Sequence, residues 1–153
     1  MGLKTMYIFW SSLLSAILAQ VLKPVIYYFF IGHKWQPARV KDAGGFPSSH
    51  SAMVSALALS VGLQERFSSP LFAVTLTVAC IVIYDAANVR YYSGQNAKVT
   101  RQLVKDLQED HPEDFNDPIY SIKLKDVLGH KWKEVIGGMV LGCAVALCFH
   151  WYL

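Results

Sequence analysis

Charge is what this chain has least of: charged residues fill 16% of its 153 positions, against 54% for hydrophobic ones, well away from ordinary soluble usage. Cysteine is scarce as well. Cys80, Cys143 and Cys148 lie inside apolar segments at spacings that suit no metal. An odd number gives no closed disulfide framework, so they read as small, reduced hydrophobes. The net charge of +3 is modest, and no basic run alternates with aromatics, which argues against a nucleic-acid partner. No Pro/Ser-rich linker, low-complexity tract or internal repeat divides the chain, so it reads as one domain over residues 1–153.

What remains is apolar and segmented. Residues 5–22, 51–64, 67–84 and 135–153 are almost free of charge. Each segment is at or below the roughly 17–25 residues of a spanning helix, but four of them in so short a chain predict a membrane. The expectation is an all-α, integral, multi-pass bundle of about four spanning helices in a bilayer, with a core small enough to favour a homo-oligomer. The first segment has only Lys4 ahead of it and no A-x-A-like cleavage site behind it, so it is expected to remain in the mature protein.

Following the chain across a bilayer sorts its polar residues. The first helix ends near Lys23, residues 32–50 connect, and the second helix leaves the same face at His50 for Glu65 and Arg66. The short turn "QERFSSP" sends the third helix back to Asp85–Arg90. A polar segment, 91–130, stays on that face, and the fourth helix departs from His130. Of fourteen Lys and Arg residues, only Lys4 and Arg66 fall on the opposite side, so the crowded face should be cytoplasmic. Within the polar segment, "NAKVTRQLVKDLQED" repeats Val99, Leu103 and Leu107 every four residues, which predicts a juxtamembrane amphipathic helix. The helix breakers of "HPEDFNDP" predict a turn after it.

Three polar constellations fall on the crowded face. "GGFPSSH", residues 44–50, opens a helix with glycines and serines, offering free backbone N–H groups, hydroxyls and a positive dipole end to an anion; a plain N-cap by Ser48 or Ser49 would also account for it. In "GHKWKEVIGGMVLG", His130 and Glu134 are four apart and share a helix face. The pair is either a surface ion pair or a tautomer-fixed imidazole with one free nitrogen, fit to be a nucleophile. Gly137, Gly138 and Gly142 would let another helix come close. In "YDAANVRYYSG", Asp85 and Arg90 mark the membrane border, where charges call for partners or a function. Lys23 is the matching cation, unless its ammonium snorkels to the interface. Together these residues suit phosphoryl transfer, with cations on the phosphoryl oxygens, one histidine attacking and the other protonating the leaving oxygen. Asp85 and Glu134 are the only acids near them, so neither a metal nor another cofactor is expected.

"PSSH" resembles the PSGH motif of the type 2 phosphatidic acid phosphatase superfamily, which also holds vanadium-dependent haloperoxidases. "GHKWKEVIGGMVLG" is similar to that superfamily's last motif, and "RYYSG" resembles the first half of the same motif. Ser49 stands where the superfamily has glycine, Glu134 where aspartate is usual, and about 35 residues part Gly94 from Gly129. The lysine of the first motif lacks its Arg-Pro seven residues on, where Phe30 stands. With "AQVLK", "GGFPSSHSA" and "DAANVR", the chain looks like the short divergent branch termed acid phosphatase/vanadium-dependent haloperoxidase-related.

The resemblance implies roles. His130 would be the nucleophile, His50 the general acid and Glu134 the residue orienting His130. Lys23, Arg39, Ser48, Ser49 and Arg90 would hold phosphate, with Asp85 and Gly45 in support. The implied activity is metal-independent hydrolysis of a lipid phosphate or diphosphate through a phosphohistidine, with the first and third helices open to the lipid. The alternative is a non-catalytic membrane protein that binds a phosphate head group for transport, scaffolding or sensing.

Overall fold

Serines and a proline start the helices where the sequence changes from polar to apolar. The computed structural model describes residues 6–33, 35–42, 44–111, 118–121 and 129–152. Helix α1 spans Tyr7–Tyr27, α2 Ser49–Glu65, α3 Pro70–Tyr84, α4 Arg90–Asp110 and α5 Trp132–Tyr152, with short 3-10 turns at Pro37–Lys41 and Pro118–Ser121. The Ser48 hydroxyl caps α2 by accepting from the Ser51 N–H at 3.3 Å, and the Ser69 hydroxyl caps α3 by accepting from the Phe72 N–H at 3.1 Å, with Pro70 in the first turn.

Among the described residues three helical stretches are long and apolar enough to cross a membrane: Tyr7–Phe30, Pro70–Asp110 and Trp132–Tyr152. The fourth expected segment, α2, is a helix of 17 residues. Two boundaries differ from expectation. The first helix does not stop near Lys23. Pro24 removes a single N–H, the apolar run behind it keeps the chain helical, and a π turn carries it through Tyr28–Gly32 to left-handed His33. The amphipathic helix does not begin at Asn96 but continues α3 directly through a π turn at Asp85–Val89. Charge does not break that helix, because Asp85 and Arg90 pair with each other. The turn expected at 111–118 falls largely outside the described residues.

The interior is made of small side chains. On α1 the buried residues Ser11, Ser15, Ala19 and Lys23 recur every four positions, as do Ala52, Ala56 and Ser60 on α2 and Gly138, Gly142 and Ala146 on α5. Large apolar side chains point outward: Phe9, Ile17, Leu71, Ile81, Val140 and Leu147 are all exposed. In water this arrangement would be inverted. In lipid it is the expected one, since close backbone approach over small residues, and not the burial of large ones, holds helices together there.

Helix α2 sits at the centre, packed on α1, α3 and α5. A Cβ on Gly138 would overlap the Ser48 carbonyl oxygen and one on Gly142 that of Ala52, so α5 runs parallel to α2 at backbone contact. Helix α1 runs antiparallel. Its Tyr7 hydroxyl donates to the Ser60 carbonyl at 2.6 Å, its Ser11 hydroxyl meets that of Ser60 at 2.8 Å, and Lys23 lies at the opposite end, beside the start of α2.

Candidate phosphoryl-transfer site

Three segments distant in sequence converge at the end of the bundle where α2 and α5 begin. A π turn makes one of the joins. The Arg90 N–H reaches back five residues to the Asp85 carbonyl, whereas in an α-helix it would take that of Ala86. The Ala86 carbonyl is thereby free, and it accepts the His130 N–H at 2.9 Å. Glu134 makes the other join. Its carbonyl accepts the Ser48 N–H at 2.9 Å, and its carboxylate accepts the Lys131 N–H at 3.2 Å and a hydrogen bond from the Gly45 backbone. Gly45 sits at φ +92°, a conformation in which a side chain is strained.

His130 is 2% exposed. Its Nδ1 lies 3.0 Å from Oε2 of Glu134, so the expected pair is an interior one and not a surface ion pair. Nε2 is buried and, among the described residues, has no hydrogen-bond partner, although buried polar atoms are nearly always satisfied. An imidazole held in this way, with Nδ1–H directed at the carboxylate, presents a lone pair on Nε2.

His50, the second residue of α2, is solvent-accessible and within electrostatic reach of Arg90, His130, Lys23 and Asp85. Partial burial comes first, then the charge of Arg90, with lesser pushes from His130 and Lys23. These hold the His50 imidazole below its ordinary value, and Asp85 opposes them. Arg90 pairs with Asp85 and remains half exposed. Ser49 is buried beside His50, and Ser48 is fully buried as the cap.

Lys23 does not snorkel. It is 3% exposed, and its Nζ donates to the Asp42 carbonyl at 2.8 Å, which leaves two of its three donors for another acceptor. Arg39 is placed differently. It stacks on the Tyr27 ring at 3.5 Å, bonds Gln36 Oε1 at 2.8 Å and pairs with Asp42 at 3.6 Å. It meets Lys23 across a small cleft also lined by Tyr27, Gly44 and Gly45. Gly45 also bonds the Glu134 carboxylate, so this cleft adjoins the Glu134–His130 pair.

Sequence reasoning missed Asp42, which fixes both Lys23 and Arg39, and Ala86, which fixes His130. Both act through a backbone carbonyl at least in part, and side-chain chemistry leaves no trace of that in the sequence. Among the described residues no three His, Cys, Asp or Glu side chains group as a metal site would require.

Comparison with known proteins shows what the chain is similar to. The Divergent PAP2 family model matches residues 5–145, which include every residue of the site. A protein named "Uncharacterized membrane protein YuiD", from Bacillus subtilis (strain 168), is 37% identical over 157 residues that cover 99% of each chain. No solved structure matches the chain. The three apolar helices and this full-length likeness make the protein an integral membrane protein. A match from the start of α1 far into α5, taking in both histidine segments, places the chain in the Divergent PAP2 family, a divergent branch of the type 2 phosphatidic acid phosphatase superfamily.

Proposed function

We propose that this protein hydrolyses a phosphomonoester or diphosphate carried on a lipid, without a metal, through a phosphohistidine on His130. The observation that carries the reading is the state of His130: buried, its Nδ1 on Glu134, its Nε2 without a partner among the described residues. A site that merely bound phosphate would need the cations and the α2 N-terminus, but not a carboxylate that orients an imidazole.

The Nε2 lone pair attacks phosphorus in line with the leaving oxygen. An N–P bond forms while the P–O bond to the lipid breaks, its electron pair going to the leaving oxygen, which takes a proton from His50. Water then attacks phosphorus and gives its proton to His50; the N–P electrons return to Nε2 and phosphate leaves. Glu134 stabilises the charge that His130 gains. Lys23, Arg90, Ser49 and the first N–H groups of α2 meet the phosphoryl oxygens. Asp85 orients Arg90, Ser48 and Gly45 hold the turn, and Arg39 steadies Lys23 through their shared partner Asp42.

Helix α2 completes four crossings, and the positive-inside rule assigns the site to the cytoplasmic face. The test is phosphate release by purified protein in detergent with chelator present, across phosphatidate, phosphatidylglycerol phosphate and prenyl phosphates and diphosphates, beside His130→Ala. Release that disappears in the variant, with acid-labile phosphate trapped on the wild type, is expected. A folded wild type inactive on every lipid overturns the reading in favour of a head-group binder.

A further inference from the structure

Among the described residues the packing around α2 leaves one sector of it uncovered. Ala52 lies against α5, Ser60 bonds α1, and Val54 and Ala58 pack on Ala79 of α3, with Val82 and Ile83 beside them. Successive residues of a helix turn by about 100°. On that wheel the α5 and α3 sectors meet, since Ser51 packs on Gly138 of α5 and Gly62 on Phe72 of α3, whereas no buried residue of α2 falls between the directions of Ser60 and Val61, on the side between α1 and α3. His50, Met53, Leu57 and Gln64, at spacings of three, four and seven, fall in this gap. Their exposure agrees. Met53 is 40% exposed, His50 and Gln64 are exposed and Leu57 is partly so, although α2 is otherwise largely buried. A groove about 21 Å long therefore runs between α1 and α3 from His50 to Gln64.

From this we infer that the hydrocarbon chain of the substrate lies in the α1/α3 groove, over Met53 and Leu57. The inference rests on the reading proposed above and specifies how the lipid is held. Charge supports this occupant: Lys23 on α1 and Arg90 after α3 stand on the two sides of the groove's mouth, and both act on His50, so an anionic head group is drawn to the polar end of an apolar channel. Chemical continuity supports it too. In an in-line displacement the leaving oxygen is opposite His130 and next to the residue that protonates it. That oxygen carries the lipid, and His50, its proton donor, heads the Met53–Leu57 stripe. The floor is a single row of side chains, which fits one chain per head group lying along α2, with any second chain left in the bilayer.

Two measurements test this. In the first, Met53→Trp and Leu57→Trp are assayed on a prenyl phosphate and on water-soluble p-nitrophenyl phosphate. The KM for the lipid is expected to rise about tenfold or more, with the soluble ester unaffected; unchanged kinetics on the lipid would mean that bulk bilayer fills the groove, and would overturn the inference. In the second, which needs no turnover, a lipid phosphate with a mid-chain diazirine is photolysed with the protein. Adducts on the Met53–Leu57 peptide, displaced by excess lipid phosphate but not by phosphatidylcholine, are expected. Adducts spread over outward residues such as Phe9, Leu71 and Val140 would overturn it. Adducts at Met53–Leu57 without hydrolysis of either substrate would uphold the groove while refuting the phosphatase.

Discussion

Gly129 rests on the backbone of Tyr91: a Cβ at Gly129 would overlap the Tyr91 nitrogen and the Arg90 carbonyl carbon, and Gly129 itself sits at φ +80°. This contact reunites the halves of a motif that the sequence keeps about 35 residues apart. It brings the Arg90 segment and the His130 segment into one site.

Gly129→Ala therefore meets both a backbone clash and an unfavourable φ. A loss of about 2 kcal/mol or more is expected, read as earlier thermal unfolding in detergent. An unchanged midpoint would show that the two segments are not held at this distance.

Glu134→Gln keeps the shape of the side chain but not its charge, and it permits the wrong His130 tautomer. Turnover should fall by about a hundredfold or more, while inhibition by inorganic phosphate changes little because the cations remain. A rate close to wild type would remove the orienting role of Glu134.

His50 must be protonated to act as an acid. Its folded-state value lies below the ordinary one, so in the free protein the protonated fraction declines as pH rises through that lowered value. The alkaline limb of kcat/KM, which reports the free enzyme, is then expected below the ordinary histidine pKa of about 6.5. The limb of kcat should lie higher, because a bound phosphate dianion favours the imidazolium. His50→Ala should slow substrates with poor leaving groups most. A kcat/KM limb above the ordinary value, or a loss equal across leaving groups, would count against His50 as the acid.

Ser93, exposed near the start of α4, probes the orientation. With the site cytoplasmic, an introduced Ser93→Cys should resist an impermeant thiol reagent in intact cells and react after permeabilisation, in a background with Cys80, Cys143 and Cys148 replaced. Ready labelling of intact cells would reverse the topology.

Much of the site was legible in the sequence because its chemistry resides in local patterns. His130 and Glu134 fall on one helix face by spacing alone, and the Gly-Gly-Phe-Pro-Ser-Ser-His turn announces a helix start with free donors. The helix boundaries were less legible. Lys23 and Asp85–Arg90 looked like helix ends because they are charged, yet the chain remains helical through both, since a buried ammonium can bond the Asp42 carbonyl and an acid and a base can pair across a π turn. Arg39 carries the charge of a phosphate ligand, and the structure adds a stacking contact on Tyr27 and an ion pair with Asp42 that its surroundings in the sequence do not announce.

The sequence by itself determined a membrane bundle, the polar residues of the candidate site and the end of the bundle where they collect. Those follow from hydrophobicity and from periods of a few residues, which act along the chain. Tertiary structure alone decided that Ala86 holds His130, that Gly129 closes a split motif, and that α1 and α3 stand apart over Met53. These depend on which backbones meet, and in a core of Ser, Ala and Gly that is set by close approach in space, which no spacing along one helix records.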